Sequence, residues 1–258
     1  MDVVGFLARE IPALRLALQF LTRLNIAATY SPEAMRASPR WYPAVGIVVG
    51  GIGAVVYALA YWLFSPLLAV LLAVSSGIVV TGALHEDGFA DACDGLGGVR
   101  PKERVLEIMR DSRIGTYGVL GLLLIVGCRV AALMAMPGDV VGLVLIAGHA
   151  TSRAAMLWVM SSSDYVRGSG AGSAVAGGID RQALIVALST TGLALLPLVL
   201  VVPLAATITG IAGLVLGHLA MRRWYEPRLG GYTGDCLGAV QQCSELGFYL
   251  GLLIALAA

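Results

Sequence analysis

Charged residues are scarce in this chain, because they make up only 13% of its 258 residues while hydrophobic residues make up 58%. A soluble domain uses roughly a quarter of charged residues to cover its surface. The scarcity therefore excludes an ordinary soluble protein and indicates that lipid is the solvent for much of the chain. The formal net charge is only +1, so no excess of positive charge indicates a nucleic-acid partner.

Lysine is almost absent, since sixteen of the seventeen basic residues are arginine. The planar guanidinium group suits phosphate, so this bias is compatible with phosphate handling. Cysteine is scarce as well, and no CxxC pair occurs among Cys93, Cys128, Cys236 and Cys243. This spacing argues against a disulfide framework and against a zinc site.

Long apolar runs are what the sequence does have. A membrane-spanning helix needs about 20 mostly apolar residues. Seven segments meet this requirement: 43–64, 67–84, 117–136, 140–160, 183–202, 204–221 and 237–257. We therefore predict an all-α fold, a polytopic membrane bundle of about seven transmembrane helices that forms a single domain over residues 1–258. Only Pro203 separates the fifth and sixth segments, so these two form either a tight hairpin or a less regular pair.

The N-terminal segment predicts an amphipathic helix. Its apolar and polar side chains fall on different helical faces, with Ile11, Leu14, Leu18 and Leu21 on one and Arg15, Gln19 and Thr22 on another. We expect this helix to lie in the membrane interface or to pack on the bundle. A tilted eighth span is the alternative.

The connections between the predicted spans differ in length and charge. The long ones, 84–118, 161–182 and 222–236, contain arginines, whereas those on the alternate side are as short as Ser65–Pro66 and Pro203. Positive charge near span ends marks the cytoplasmic side. We therefore expect a multi-pass membrane protein whose active face is cytoplasmic.

Segment 84–118 is predicted to be a cytoplasmic loop that binds metal and phosphate. Asp87, Asp91 and Asp94 are spaced i, i+4 and i+7, so on a helix they share one face. Like charges at this spacing repel one another unless a cation joins them. Mg²⁺ suits carboxylate oxygens and often takes substrate phosphate oxygens as further ligands. The pattern predicts a magnesium site, with a solvated acidic helix end as the alternative.

Further candidates flank these acids. Asp111 lies between Arg110 and Arg113, which favours a further metal ligand or a base beside two phosphate-binding arginines. A short helix with Pro101 at its first position is expected just before them. His85 precedes the acids, and the sequence favours a structural or substrate-contacting role and a catalytic role equally.

Polar residues also occur inside the predicted spans, where ionisable groups are costly and face a polar interior. His149, Ser152 and Arg153 fall on one face of the fourth span, and we predict Arg153 as a phosphate ligand. Arg129 lies deeper and is expected to pair with an acid. Glu245 in the last span needs a partner, and the candidates are Arg153, Arg129 and the substrate. Gln242 lies on a nearby face of that span.

Three segments resemble the integral-membrane cobalamin synthases, also called adenosylcobinamide-GDP ribazoletransferases. These segments read HEDGFADACDGLGG, EIMRDSRIGTYG and GGYTGDCLGA. LALQFLTRLNI, WYPAVGIVVGG and the pair Ser152–Arg153 extend the resemblance from about residue 14 to the C-terminus. The family usually has an apolar residue after its motif histidine, so Glu86 is expected to add a fourth carboxyl at the site.

The resemblance implies a late step of vitamin B12 assembly. Adenosylcobinamide-GDP and α-ribazole, or its 5′-phosphate, would give adenosylcobalamin, or its 5′-phosphate, and GMP, with Mg²⁺ as the metal. The family's acids carry over to Asp87, Asp91, Asp94 and Asp111 as metal ligands, and Asp91 and Asp111 are expected to be catalytic. The expected substrate-binding residues are His85, Glu86, Arg110, Arg113, Ser152, Arg153, Tyr232, Thr233, Asp235, Gln242 and Glu245.

Other classes of protein fit the sequence less well. The acid spacing is also similar to that of CDP-alcohol phosphotransferases, which makes a related membrane enzyme the second interpretation. A small-solute transporter would use the intramembrane charges as a pathway, but the acids gather on one side. The expected partners are the two substrates and the lipid bilayer, without nucleic acid, and a homo-oligomer is left open.

Overall fold

The structure is a computed structural model that describes residues 3–167, 171–176 and 179–256. Within these ranges the chain is almost entirely helical and contains no β-strand. A single isolated parallel bridge joins Tyr165 to Tyr232. The predicted all-α fold is confirmed.

The helices follow one another closely along the chain. In order they are α1 (Val3–Leu21), α2 (Pro32–Ala37), α3 (Tyr42–Leu63), α4 (Pro66–Thr81), α5 (Leu84–Leu96), α6 (Lys102–Ile108), α7 (Thr116–Met134), α8 (Val141–Ser162), α9 (Arg181–Val201), α10 (Leu204–Leu229) and α11 (Gly234–Leu256). Short 3-10 turns lie at Ser38–Trp41 and Ala171–Ala174. α11 is central, since it packs against α5, α7, α8 and α10.

The predicted spans correspond to helices of the structure. In the described part of the chain, six helices are long and apolar enough to cross a membrane: α3, with the short turns before it, and α7 to α11. α4 has only 16 residues and counts as a seventh span only together with α5. The prediction of about seven spans is confirmed. α10 runs to Leu229, beyond the predicted end at residue 221.

α1 packs on the bundle against α2 and α3, and it is not one of the candidate spans. Its buried side chains are Ala13, Leu16, Ala17 and Leu21. The predicted buried face was partly wrong, because Ile11 is 43% exposed. Glu10 sets the rotation of the helix, since its carboxylate accepts hydrogen bonds from Arg40 Nη1 at 2.9 Å and from Trp41 Nε1 at 2.8 Å.

The long polar segments lie at one end of the bundle. Arg228 at the end of α10 donates a hydrogen bond to the Leu96 carbonyl at 2.6 Å, and the bridge described above joins the segment after α8 to the segment before α11. At the other end, a Cβ on Gly138 would lie 3.2 Å from the Tyr61 hydroxyl, so two short turns meet there. Long and short connections therefore lie at opposite ends, as the sequence predicts.

A sharp bend separates α4 from α5, whose axes differ by 88°. Gly82 and Ala83 both have left-handed backbone conformations, with φ values of 64° and 60°. This conformation is strained for Ala83, which carries a Cβ. The side chain of Arg23 packs so closely over Gly82 that a Cβ there would collide with it. The bend turns α5 across the end of the bundle, outside the six long spans.

The sequence predicted a loop for segment 84–118. The structure instead has two helices there, joined by short turns. α5 begins directly after the bend, and α6 covers the middle of the segment. Pro101 is the extended N-cap residue of α6 rather than its first helical residue. Val105 and Met109 are buried and form the apolar edge of this part of the chain.

Candidate metal and phosphate site

α5 crosses α11 with the two backbones in contact. A Cβ on Gly88 would lie 2.9 Å from the Asp235 Cα, and a Cβ on Gly238 would lie 3.0 Å from the His85 carbonyl oxygen. Glycine is needed at both positions because any side chain would push the helices apart. The crossing brings Asp235 at the start of α11 beside the carboxylates of α5.

Three carboxylates meet at this crossing, and we call Asp87, Asp91 and Asp235 the acid cluster. Asp87 is exposed, while the other two are partly buried. Burial, together with the nearby charges of Asp235 and Asp87, raises the pKa of Asp91 to about 7. Among the described residues, the acid cluster has one ion pair, between Arg167 Nη2 and Asp235 Oδ2 at 2.5 Å. Three acids and one guanidinium leave an excess of negative charge.

Asp94 shares the helix face but has another partner. Its carboxylate accepts hydrogen bonds from the backbone amides of Gly115 at 2.7 Å and Gly118 at 2.8 Å. These amides open α7, where free N–H groups and the helix dipole favour a negative charge. A Cβ on either glycine would collide with this carboxylate. The structure therefore shows Asp94 capping α7, and its expected role as a metal ligand stays a prediction.

Asp111 and Arg113 lie on an exposed turn after α6. Arg113 Nη2 lies 2.6 Å from Asp111 Oδ2, and the Arg113 side chain is 87% exposed. Hydrogen bonds from Arg113 lower the pKa of Asp111 to about 2. The two residues pair with each other rather than with the acid cluster, and Arg110 beside them is exposed. Their predicted roles in metal and phosphate binding stay predictions.

The acid cluster does not form a metal site by itself, because within the described ranges no group of three His, Cys, Asp or Glu side chains is arranged to hold a metal ion. Mg²⁺, however, is commonly held by one or two carboxylates together with waters and substrate phosphates. The excess of negative charge at Asp87, Asp91 and Asp235 therefore fits a cation that is bound together with its substrate.

A second group of charged residues lies inside the bundle. We call the following set the buried network: Glu86, Arg129, His149, Ser152, Arg153, Gln241, Gln242 and Glu245. Glu86 is only 8% exposed; it accepts a hydrogen bond from Gln242 Nε2 at 2.9 Å and lies 3.4 Å from Arg129 Nη1. Glu86 thus faces away from the acid cluster. The expectation of a fourth carboxyl at the site is wrong.

Glu245 is the centre of this network. Its Oε1 lies 2.7 Å from Arg129 Nη2, and its Oε2 accepts a hydrogen bond from Gln241 at 2.6 Å. His149 lies 3.1 Å from the same Oε2. Arg129, one of the expected partners, therefore neutralises Glu245, and the same guanidinium donates to Gln242 at 2.7 Å.

Arg153 is the largest fully buried side chain of the protein and is 1% exposed. Its Nη1 donates to the His149 carbonyl oxygen at 3.0 Å. Ser152 is also buried and accepts a hydrogen bond from Gln241 at 2.9 Å. These contacts hold both residues inside the bundle, so the predicted contacts of Ser152, Arg153, Gln242 and Glu245 with substrate have no support in the geometry.

A cavity of about 170 Å³ adjoins the acid cluster, and Asp87, Asp235 and Arg167 line one part of it. His85, which is 2% exposed, also lines it. The Nε2 atom of His85 has no hydrogen-bond partner among the described residues. Its position agrees with the substrate-contacting alternative.

Comparison with known sequences gives the family. Residues 13–253 match the family described as cobalamin-5-phosphate synthase. The chain belongs to this family. Proteins called adenosylcobinamide-GDP ribazoletransferase in Leptothrix cholodnii and Bradyrhizobium diazoefficiens are 41% and 42% identical to it. The alignments cover 92% and 90% of this chain and 93% and 90% of the relatives. No solved structure matches the chain.

In this cobalamin-5-phosphate synthase family member, the segment before α11 supports the acid cluster. The buried Tyr232 donates its backbone N–H to the Asp164 carbonyl at 2.8 Å, and its ring meets that of Tyr165 edge-on. Thr233 Oγ1 accepts a hydrogen bond from the Cys236 amide, so it caps α11. Both residues have structural contacts, and their predicted substrate contacts stay predictions.

Arg167 is a site residue that the sequence analysis did not single out. The backbone bridge at Tyr165 holds the following residues against the start of α11, and Arg167 reaches both Asp235 and the Met109 carbonyl oxygen, the latter at 3.2 Å. The only signal in the sequence was an arginine in a polar connection on the charged side. Its pairing with Asp235 depends on a contact between distant parts of the chain.

Proposed function

We propose that this protein is an adenosylcobinamide-GDP ribazoletransferase. In the reaction, a ribose hydroxyl of α-ribazole, or of its 5′-phosphate, attacks the phosphorus on the cobinamide side of the pyrophosphate. The bond between this phosphorus and the bridging oxygen breaks, and GMP leaves with that oxygen. The observation that carries the proposal is the uncompensated negative charge of the acid cluster in a member of this family.

Mg²⁺ is the proposed metal, and Asp87 and Asp235 would hold it. When bound, it would neutralise charge on the pyrophosphate and on the leaving GMP. The need for such a cation follows from simple electrostatics, because the acid cluster would otherwise repel a pyrophosphate. Phosphoryl transfer asks a protein mainly for positioning and charge neutralisation.

The side chains of the site divide the remaining work. Asp91, which neighbours both other acids, accepts the proton of the attacking ribose hydroxyl. Arg167 holds Asp235 in place through its 2.5 Å contact and adds a positive charge beside the phosphates. The crossing at Gly88 and Gly238 fixes the distance between the acids of α5 and Asp235.

The proposed setting is a prokaryotic inner membrane with the acid cluster on the cytoplasmic side. Two facts support this orientation. The acid cluster lies on the same end of the bundle as the long, arginine-bearing connections, and arginine near span ends marks the cytoplasmic side. The relatives named above are bacterial proteins.

The proposal is tested with the purified full chain in detergent, supplied with adenosylcobinamide-GDP and α-ribazole. We expect GMP and a cobalamin product to form together in the presence of Mg²⁺, as measured by liquid chromatography and mass spectrometry. Treatment with EDTA should abolish both, and added Mg²⁺ should restore both. If no corrinoid product forms under any condition, the proposed activity is wrong. If the reaction is indifferent to EDTA, only the role of the metal is wrong.

A further inference from the structure

The cavity beside the acid cluster has walls of a different character from its rim. Apart from the charged residues already named, the lining is mostly apolar and aromatic and includes Phe20, Tyr42, Met156, Tyr165, Val175 and Leu237. These residues come from α1, α3, α8, α11 and the segment after α8, so five parts of the chain enclose one space. The cavity therefore has an apolar body, with Asp87, Asp235 and Arg167 at one part of its wall.

We propose that this cavity seats the heterocyclic base of the acceptor nucleoside, an apolar base of two fused rings. The inference rests on the proposed function, because it assigns one part of one substrate to a place in the structure. With the base in the cavity, the attached ribose lies at the acid cluster, where its hydroxyl must react.

Size supports this assignment. The cavity measures about 170 Å³. An engineered apolar cavity of about 150 Å³ in another protein accepts a benzene ring. The space here therefore suits a single flat aromatic group. A corrin macrocycle is several times larger, so the cobinamide part of the other substrate does not fit inside.

Polarity separates the acceptor base from the remaining aromatic candidate, guanine. The edge of guanine carries several hydrogen-bond donors and acceptors, which would lose their partners against apolar walls. The base of α-ribazole carries two methyl groups and has only one unsubstituted ring nitrogen. His85, whose buried Nε2 has no partner among the described residues, offers one polar atom at the cavity wall. The single ring nitrogen of the base can therefore pair with the single polar atom that His85 offers.

Charge excludes the phosphates from the same space. Asp87 and Asp235 line the cavity, and a phosphate placed there without a cation would be repelled by both. A neutral base meets no such repulsion. The pyrophosphate therefore belongs outside, with the cation, and the neutral base belongs inside.

The first test narrows the cavity. Met156 and Val175 are 4% and 3% exposed and line it, whereas Met160, one turn further along α8 and 6% exposed, does not. In Met156→Phe and in Val175→Phe, we expect the KM for α-ribazole to rise about tenfold or more. The KM for adenosylcobinamide-GDP should stay within about twofold, and Met160→Phe should change neither constant by more than that. Size-exclusion chromatography and thermal unfolding show which variants fold.

The second test needs no variant. Free 5,6-dimethylbenzimidazole should inhibit the wild-type protein competitively against α-ribazole and not against adenosylcobinamide-GDP. Competition with adenosylcobinamide-GDP alone, an absence of inhibition, or a folded cavity variant with an unchanged KM for α-ribazole would each overturn the assignment while leaving the proposed function intact.

Failure of the proposed function is recognised separately, by calorimetry of α-ribazole binding without turnover. If the wild-type protein binds α-ribazole but forms no product, and Val175→Phe weakens the binding about tenfold, the cavity assignment holds and the reaction assignment falls. If the wild-type protein neither binds nor converts α-ribazole, both are wrong.

Discussion

The protein contains two groups of charged residues that differ in how their charge is balanced. In the buried network, Arg129 pairs with both Glu86 and Glu245, and the buried Arg153 supplies a second positive charge. In the acid cluster, three carboxylates face the single guanidinium of Arg167. The first group is enclosed in the bundle, and the second borders an open cavity.

The charge balance within each group separates structural from functional charges in this membrane protein. A buried charge without a partner is very costly, so a structural group must be neutral within itself. A group that binds a cationic ligand must instead lack positive charge of its own. Because both groups contain acids on α5, with Glu86 in one and Asp87 in the other, neighbouring residues of one helix serve opposite purposes.

The largest effect is expected for Asp91→Asn, which tests whether the acid cluster is functional. The substitution removes a charge from the cluster at nearly constant size. We expect the rate of GMP release to fall about 100- to 1,000-fold. The melting temperature should not fall, because the substitution relieves repulsion within the cluster. Asp139→Asn, at the exposed turn on the opposite end of the bundle, serves as the control. A lower melting temperature with an unchanged rate would show that Asp91 is structural.

The opposite pattern is expected for Arg129→Met. This change leaves the buried Glu245 without the guanidinium that contacts it, and it should lower the free energy of unfolding by about 3 kcal/mol. Activity should fall only in proportion to the folded fraction, and added Mg²⁺ should not restore it. Adding Glu245→Gln to this variant should recover part of the lost stability, as measured by thermal unfolding in detergent. No recovery in the double variant would contradict the charge balance that we describe.

Asp94→Ala tests whether Asp94, on the same helix as Asp87 and Asp91, stabilises the fold or binds metal. Because Asp94 caps α7, we expect its loss to lower the free energy of unfolding by about 1 kcal/mol. The Mg²⁺ concentration that gives half-maximal activity should stay the same as in the wild type. A large increase in that concentration would return Asp94 to the metal ligands. Titration of activity against Mg²⁺ decides between the two roles.

The smallest effect on stability is expected for the exposed pair Asp111–Arg113, which belongs to neither group. The lowered pKa of Asp111, about 2, means that any stability from this pair is fully present above pH 3.8 and is lost as the pH falls through 2. The difference in melting temperature between Arg113→Ala and the wild type should therefore stay constant between about pH 4 and pH 8. We expect Arg113→Ala to weaken substrate binding more than folding; unchanged kinetics with a lowered melting temperature would contradict this.

The spans, and the position of the long connections at one end of the bundle, could be predicted because hydropathy and charge are local properties of a sequence. The same reasoning found that Arg129 pairs with an acid, since a buried arginine must be neutralised. It placed Asp87 and Asp91 on one helix face correctly, because their spacing alone decides that. These predictions needed no knowledge of which helices touch.

The rest depended on contacts between distant residues. The sequence gives no direct sign that Asp94 meets the amides at Gly115 and Gly118, or that Arg167 meets Asp235. Glu86 was placed at the site because it lies within the motif, directly after its histidine, but successive residues of a helix point in different directions. Gly115 and Gly118, three residues apart, were a hint that another part of the chain packs closely against the start of α7.

The short length of α4 has a consequence for the surrounding lipid. Its 16 residues span about 24 Å at 1.5 Å per residue. The hydrocarbon core of a bilayer is about 30 Å thick, so α4 is too short by several ångströms and the membrane must become thinner beside it. The corner at Ala83 turns α5 away from the axis of this short helix, so the acid cluster at the crossing of α5 and α11 would lie in a local depression of the membrane surface, and lipids of different acyl-chain length would change its depth.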